Sequence, residues 1–130
     1  MNRRSLIVAA TLLVAPSFAR GAEQRKKGGG ASFIQLETLT ATVTQPSGRR
    51  GAMTVEVGVD IADGALHARA VQSTPLLQAA YSEVLRIYAG GLPPGAPPNA
   101  DYLGQALQRA TDQALGRPGA RLLLGTILIN

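Results

Sequence analysis

Five apolar residues, Met53, Val55, Val57, Val59 and Ile61, alternate with Thr54, Glu56, Gly58 and Asp60. Successive side chains of an extended chain point to opposite faces, so this spacing predicts a strand with one buried and one solvated face. A second run lies just upstream. Between Phe33 and Thr44 the chain is β-rich, with Leu39, Ala41 and Val43 alternating against Thr38, Thr40, Thr42 and Thr44. Gln45-Pro46-Ser47-Gly48-Arg49-Arg50-Gly51 separates the two runs. Its Pro and Gly supply the backbone angles of a turn, so the pair reads as an antiparallel hairpin.

The rest of the chain supplies the covering layer. Asp63-Gly64 ends the hairpin, and Ala65 to Ala89 is helical in character with an interruption at Pro75. Proline removes one helix hydrogen bond and clashes with the preceding turn. Two outcomes fit: a kink, or a new helix with Thr74 as N-cap and Pro75 at its first position. Beyond it, Leu77, Ala80, Tyr81, Val84 and Tyr88 share one face, while Gln78, Ser82, Glu83 and Arg86 lie away from it. Gly90-Gly91 stops the helix. Leu92 to Pro98 is a Pro/Gly loop whose PxxP, Pro94 to Pro97, reads as a stiff spacer. A second helix follows from about Asp101, with Leu103, Ala106, Leu107, Ala110 and Ala114 at helical spacing, Gly116 as its cap and Pro118-Gly119 as a turn.

The segment Arg121 to Asn130 is apolar on both phases. Leu122, Leu124 and Leu128 fall on one face in a regular strand, with Leu123, Ile127 and Ile129 on the other. A strand buried on both faces reads this way, which places it inside the sheet. Two helices cover one face; the lead-in to the first strand, a partner chain or a membrane covers the other. The expected class is α+β: a small antiparallel sheet, hairpin plus C-terminal strand, packed with two helices.

Charge and composition narrow the function. The 130 residues carry a formal charge of +5, but Arg3, Arg4, Arg20, Arg25, Lys26 and Lys27 all precede Ala31. From Ala31 onward seven basic residues balance seven acidic ones. A nucleic-acid-binding domain carries its excess charge on the domain itself, so no nucleic-acid partner is expected. Aromatic residues are 4% and Trp is absent, so the core is built from Leu, Val, Ile and Ala. With no cysteine, disulfides, thiolate catalysis and Cys-held metals are excluded.

The N-terminus has three parts. Asn2, Arg3 and Arg4 are followed by an apolar run from Leu6 to Val14, then Pro16 and Ser17-Phe18-Ala19. This is the pattern of an export signal peptide, residues 1–19, cut after Ala19. A cut after Ala22 is the alternative, although Arg20 would then stand where a small residue is preferred. A span of about 18 apolar residues is needed to cross a bilayer, and Leu6 to Ala19 is shorter. The expected location is the periplasm; the alternative is an N-terminal anchor in the inner membrane. Arg3-Arg4-Ser5-Leu6-Ile7 resembles a twin-arginine signal, which makes Arg3 and Arg4 the targeting residues, although two adjacent arginines also serve the general secretion route. Residues 20–31, with Arg25-Lys26-Lys27-Gly28-Gly29-Gly30, read as a basic glycine-rich tether before a single domain at 32–130. Near anionic lipid each such charge contributes about 1 kcal/mol, so membrane proximity stays open.

The order of elements resembles the periplasmic domain of the flagellar basal-body-associated FliL family. The matching pieces are Arg50-Gly-Ala-Met-Thr-Val-Glu-Val-Gly-Val-Asp60, Leu76-Leu77-Gln78 to Tyr88, Leu103 to Leu115, and Leu122 to Asn130. Members carry a long transmembrane helix and usually end in Gln, where this chain has a short leader and Asn130. The resemblance implies a non-enzymatic periplasmic module that assembles into rings or docks on the flagellar stator.

No motif announces catalysis. His67 is the single histidine, with Asp60 and Asp63 before it, but structural zinc sites usually need four ligands. No serine lies in a G-x-S-x-G elbow, and the Gly28-Gly29-Gly30 run lacks the Lys-Ser/Thr of a phosphate loop. Tyr81 and Tyr88 read as core, and the pairs Glu83/Arg86 and Arg109/Asp112 as exposed helix pairs. No catalytic, cofactor-binding or metal residue is therefore assigned, and no cofactor is expected. The leading expectation is a non-catalytic exported protein acting through protein–protein contacts, self-association included, or near the membrane. The alternative is a small-ligand-binding or hydrolytic periplasmic protein with a polar pocket near His67, Asp63 and Tyr81.

Overall fold

The computed structural model describes residues 30–130. The expectations for Arg3, Arg4, Ala19, Ala22 and the basic tether up to Gly29 lie outside the described residues. The order is β1 (Phe33–Gln35), β2 (Leu39–Thr44), β3 (Arg50–Ile61), α1 (Gly64–Gln72), α2 (Thr74–Gly90), α3 (Ala100–Leu115) and β4 (Ala120–Ile129). The class is α+β, as the patterning predicts, with four antiparallel strands and three helices where the sequence reading has three and two.

β3 is the centre. Met53, Val55, Val57, Val59 and Ile61 are all fully buried beneath the helices. On one side β2 pairs with the first half of β3, from Leu39↔Val55 to Thr44↔Arg50, and β1 with the second half, from Phe33↔Asp60 to Gln35↔Gly58. The β-rich run from Phe33 to Thr44 is thus two strands. The break has a tertiary cause: the Gln78 amide on α2 accepts from Glu37 N and donates to Glu37 O, both at 3.1 Å. The connection between β2 and β3 is the expected turn. Gly48 N donates to Gln45 O at 2.9 Å, Gln45 N donates to Arg49 O at 2.8 Å, and Gly48 has φ 87°. Pro46 and Ser47 with a left-handed Gly48 make a three-residue hairpin loop.

β4 corrects the expectation of an interior strand. Among the described residues it pairs with β3 alone, from Ile61↔Ala120 to Met53↔Ile129, and stands at the sheet edge. The expected face assignment is corrected too. A register shift lies between Val55 and Val57, where Glu56 faces both Gly125 and Thr126. Such a bulge inserts one residue and reverses the alternation beyond it. Leu122, Leu124, Ile127 and Ile129 therefore oppose Val59, Val57, Val55 and Met53 on the helix side, while Leu123 and Leu128 oppose Gly58 and Thr54 on the outer side. The outer face is not sealed: Thr40, Thr42 and Thr44 are exposed on it. The lead-in strand contributes Phe33, whose ring occupies the space that a Cβ at Gly58 would need.

At Pro75 a new helix begins. α1 ends at Gln72, and Ser73, one residue before the expected Thr74, is the N-cap position of α2. Thr74 Oγ1 donates back to Val71 O at 2.9 Å. α3 starts at Asn99, whose Oδ1 accepts from Tyr102 N at 3.0 Å, and stops at Gly116, φ 83°. α2 and α3 bury Leu77, Tyr81, Leu85, Leu103 and Leu107 against the sheet. No helix of the described residues is long and apolar enough to cross a membrane.

The core holds one polar pair. Tyr81 OH lies 2.5 Å from Thr111 Oγ1, and Thr111 Oγ1 donates to Leu107 O at 2.8 Å. A hydroxyl has one proton, so Tyr81 is the donor to Thr111. Burial raises the Tyr81 pKa and holds the phenol neutral. Tyr81→Phe removes this bond while keeping the ring, and is expected to cost about 1 kcal/mol in urea unfolding. Leu103→Ala, which empties core volume, is expected to cost about 2–5 kcal/mol by the same measurement.

Candidate functional site

Among the described residues the outer edge of β4 pairs with no other strand. In an antiparallel strand the N–H and C=O of one residue point the same way, alternately toward and away from the partner. Val57 O accepts from Leu36 N at 3.1 Å, and Ile61 N donates to Ser32 O at 2.9 Å, so both turn away from β4. Their opposites, Leu124 and Ala120, together with Leu122 between them, accordingly turn their own backbone groups outward. At the far end Ala52 and Asn130 exchange both bonds, at 3.1 and 2.9 Å. Ile127 and Ile129 therefore turn outward as well. The bulge at Gly125-Thr126 produces this change of phase.

Two polar side chains hold that geometry. Gln108 on α3 donates to Ala120 O at 2.7 Å and accepts from Leu122 N at 2.9 Å, covering the start of the edge as a neighbouring strand would. Glu56 Oε1 accepts from Thr126 N at 3.3 Å. Gly125 makes room for this contact, since a Cβ there would lie 3.0 Å from Glu56 Cβ. From Leu122 O to Ile129, no described residue takes up the outward backbone groups. Leu128 and Ile129 flank this stretch at 56% and 40% exposure.

A cleft of about 520 Å³ adjoins the end of β4. Its walls are the hairpin turn at Pro46 and the α2–α3 loop, and Ile129 and Asn130 also line it. The Pro94–Pro97 segment, expected as a spacer, packs onto the hairpin. Ala96 N donates to Pro93 O at 3.0 Å, with Gly95 at φ 76°, a turn that Pro94 and Gly95 suit. Gly95 N donates to Thr44 O at 3.3 Å, and a Cβ on Gly95 would lie 2.8 Å from Pro46 Cγ.

The polar residues singled out in the sequence are engaged separately. Asp60 accepts from Ser32 Oγ at 2.5 Å and lies 3.9 Å from Arg121. Asp63 caps α1 through Leu66 N at 2.8 Å and pairs with Arg117 at 2.9 Å. Tyr81 is in the core. His67 sits on α1 with Nε2 buried and without a hydrogen-bond partner among the described residues. Tyr88 stacks on Tyr102 at 5.7 Å, and its OH accepts from Asn99 N at 2.7 Å. Glu83 pairs with Arg86 at 2.6 Å, whereas Asp112 accepts from Gln108 at 3.1 Å in place of the expected Arg109. Among the described residues no group of three or more His, Cys, Asp or Glu could hold a metal ion. Gln108, Gln78 and Glu56 were not visible as site residues, because each acts on a backbone distant in sequence. Gly125 inside an apolar strand is the one local signal of the bulge.

The Asp63 carboxyl is held below the ordinary carboxylate range, chiefly by the Leu66 N–H; burial opposes this, and the charge and hydrogen bond of Arg117 add to the lowering. A depressed folded-state pKa stabilises the fold above the unfolded value, about 3.9, and the contribution is lost as pH falls through the folded value. Asp63→Asn keeps a capping oxygen without the charge. The wild-type advantage over it is expected at neutral pH and shrinks below about pH 4, followed by urea midpoints against pH.

Comparison of the sequence with protein-family models and with characterised proteins gave no match.

Proposed function

We propose that this chain is an exported, non-catalytic periplasmic protein, FliL-like in its order of elements, that acts through protein–protein contacts at the edge of β4. The observation that carries the reading is the backbone from Leu122 to Ile129, whose outward groups no described residue takes up, bordered by exposed Leu128 and Ile129. An open apolar edge in water is a template for another strand, and stable monomers blunt such edges with charges, prolines or cover. Here Arg121 is the one charged residue of β4 and lies at its start. The charge balance from Ala31 onward favours protein contacts over a polyanion. The leader supports export through Arg3 and Arg4, with cleavage after Ala19.

The cleft favours a second reading, binding of a small apolar ligand, since its volume of about 520 Å³ falls within the range of small-molecule sites.

Two measurements test the main reading. Mass spectrometry of the periplasmic fraction is expected to find a mature N-terminus at Arg20; the intact leader in the membrane fraction would favour the anchored alternative. Leu128→Glu sets a charge on the edge and is expected to keep the wild-type circular dichroism while abolishing the cross-linked species formed in intact cells. Wild-type protein that forms no cross-linked species would refute the contact reading.

A further inference from the structure

The outward-facing residues of the open edge are Leu122, Leu124, Ile127 and Ile129. Their spacing is irregular: two residues, then three across the bulge, then two. A regular strand presents its bonding residues every second position. Laid along this edge, it matches one half of β4 and falls out of phase on the other. A strand that fits the whole edge needs its own three-residue interval at the same place.

β4 itself has that interval. Reversed about a two-fold axis between Gly125 and Thr126, β4 of one copy sets Leu124 against Ile127 and Leu122 against Ile129 of a second copy. Outward-facing residues meet outward-facing residues at every position, and both strands cross the bulge in step. The faces agree as well. Leu122, Leu124, Ile127 and Ile129 all lie on the helix side, and Leu123 and Leu128, which then oppose each other, both lie on the outer side.

Charge agrees with the geometry. Leu122 to Ile129 contains no charged residue, so it suits an equally uncharged strand, and Arg121 would oppose Asn130 with no like charges facing. The charge balance from Ala31 onward also imposes no net repulsion between copies. Gln108 defines where the pairing ends. Its amide holds Leu122 N, and Leu122 O, without a partner among the described residues, is left for the partner's Ile129 N.

We propose that two copies of this chain associate by antiparallel pairing of their β4 strands about a two-fold axis at Gly125-Thr126, joining both sheets into one. The proposal rests on the reading of the β4 edge as a contact surface and names its occupant as a second copy. A two-fold arrangement of one self-complementary patch closes at the dimer.

The absence of cysteine from the chain allows a direct test of register. Leu123→Cys and Leu128→Cys are made as separate full-chain variants, mixed and mildly oxidised. A disulfide-linked heterodimer is expected, well above the yield from each variant alone or from Leu123→Cys mixed with Thr42→Cys, which sits on the far strand β2. Light scattering on the wild type across a concentration series is expected to give twice the monomer mass. Ile127→Pro deletes an N–H that points away from β3, and is expected to return the mass to that of a monomer with helix content unchanged. A dimer without the 123–128 cross-link overturns this pairing, as does a dimer that survives in folded Ile127→Pro. A monomer at every concentration also overturns it; if cells still show cross-links to other proteins, the contact reading stands without self-pairing, and if they show none, both fall.

Discussion

The structure depends on the burial of one side of β3. Five side chains, Met53 to Ile61 at alternate positions, lie under α2, α3 and the flanking strands. Each contributes about 1.5–3 kcal/mol by leaving water, so their sum is large beside the net stability of a domain this size. That burial fixes the register of everything around it. A slip by one residue would turn all five to solvent and bring Glu56 and Asp60 inward. β2, β1 and β4 are therefore placed by β3, and the helices by the apolar face that these strands complete.

A sheet with one central strand has two long edges, and a helix amide meets each of them. Gln78 takes up Glu37 at the seam of β1 and β2, and Gln108 takes up Ala120 and Leu122 at the start of β4. In both places a helix supplies an amide that donates and accepts as a strand backbone does. A side-chain amide satisfies two groups without offering a further edge, so the sheet stops there. Beyond Leu122 no such amide follows among the described residues. Gln108 covers the edge at the start of β4, and among the described residues nothing covers the rest.

Local physics was legible in the sequence. The alternation in β3, the Pro46/Gly48 hairpin, the stop at Gly116 and the apolar faces of α2 and α3 each follow from residues within one or two turns of each other. What could not be read depends on distant partners. The break at Leu36–Thr38 is held by Gln78, 41 residues from Glu37. Gln108 looks like an ordinary exposed helix position until β4 arrives beside it. β4 misled for a different reason: a run apolar on both phases resembles an interior strand, and counting by twos through Gly125 sends Ile127 and Ile129 to the wrong face. Of the residues grouped in the sequence, His67 lies on α1, Asp63 at its N-cap and Tyr81 in the core, settings that local patterning does not show.

The bulge contact between Glu56 and Thr126 joins residues 70 apart in sequence. The β2–β3 hairpin closes across a three-residue loop, and helices form within their own segments. β4 alone must cross most of the domain before it gains anything from β3. Loop closure over such a length is entropically unfavourable and slow compared with local contacts. Folding is then expected to reach a hairpin with its helices first, with the β4 side of β3 still unpaired and its valines only half covered. The last strand to dock would decide how long that apolar edge meets the solvent, and so how readily the unfinished domain sticks to its neighbours.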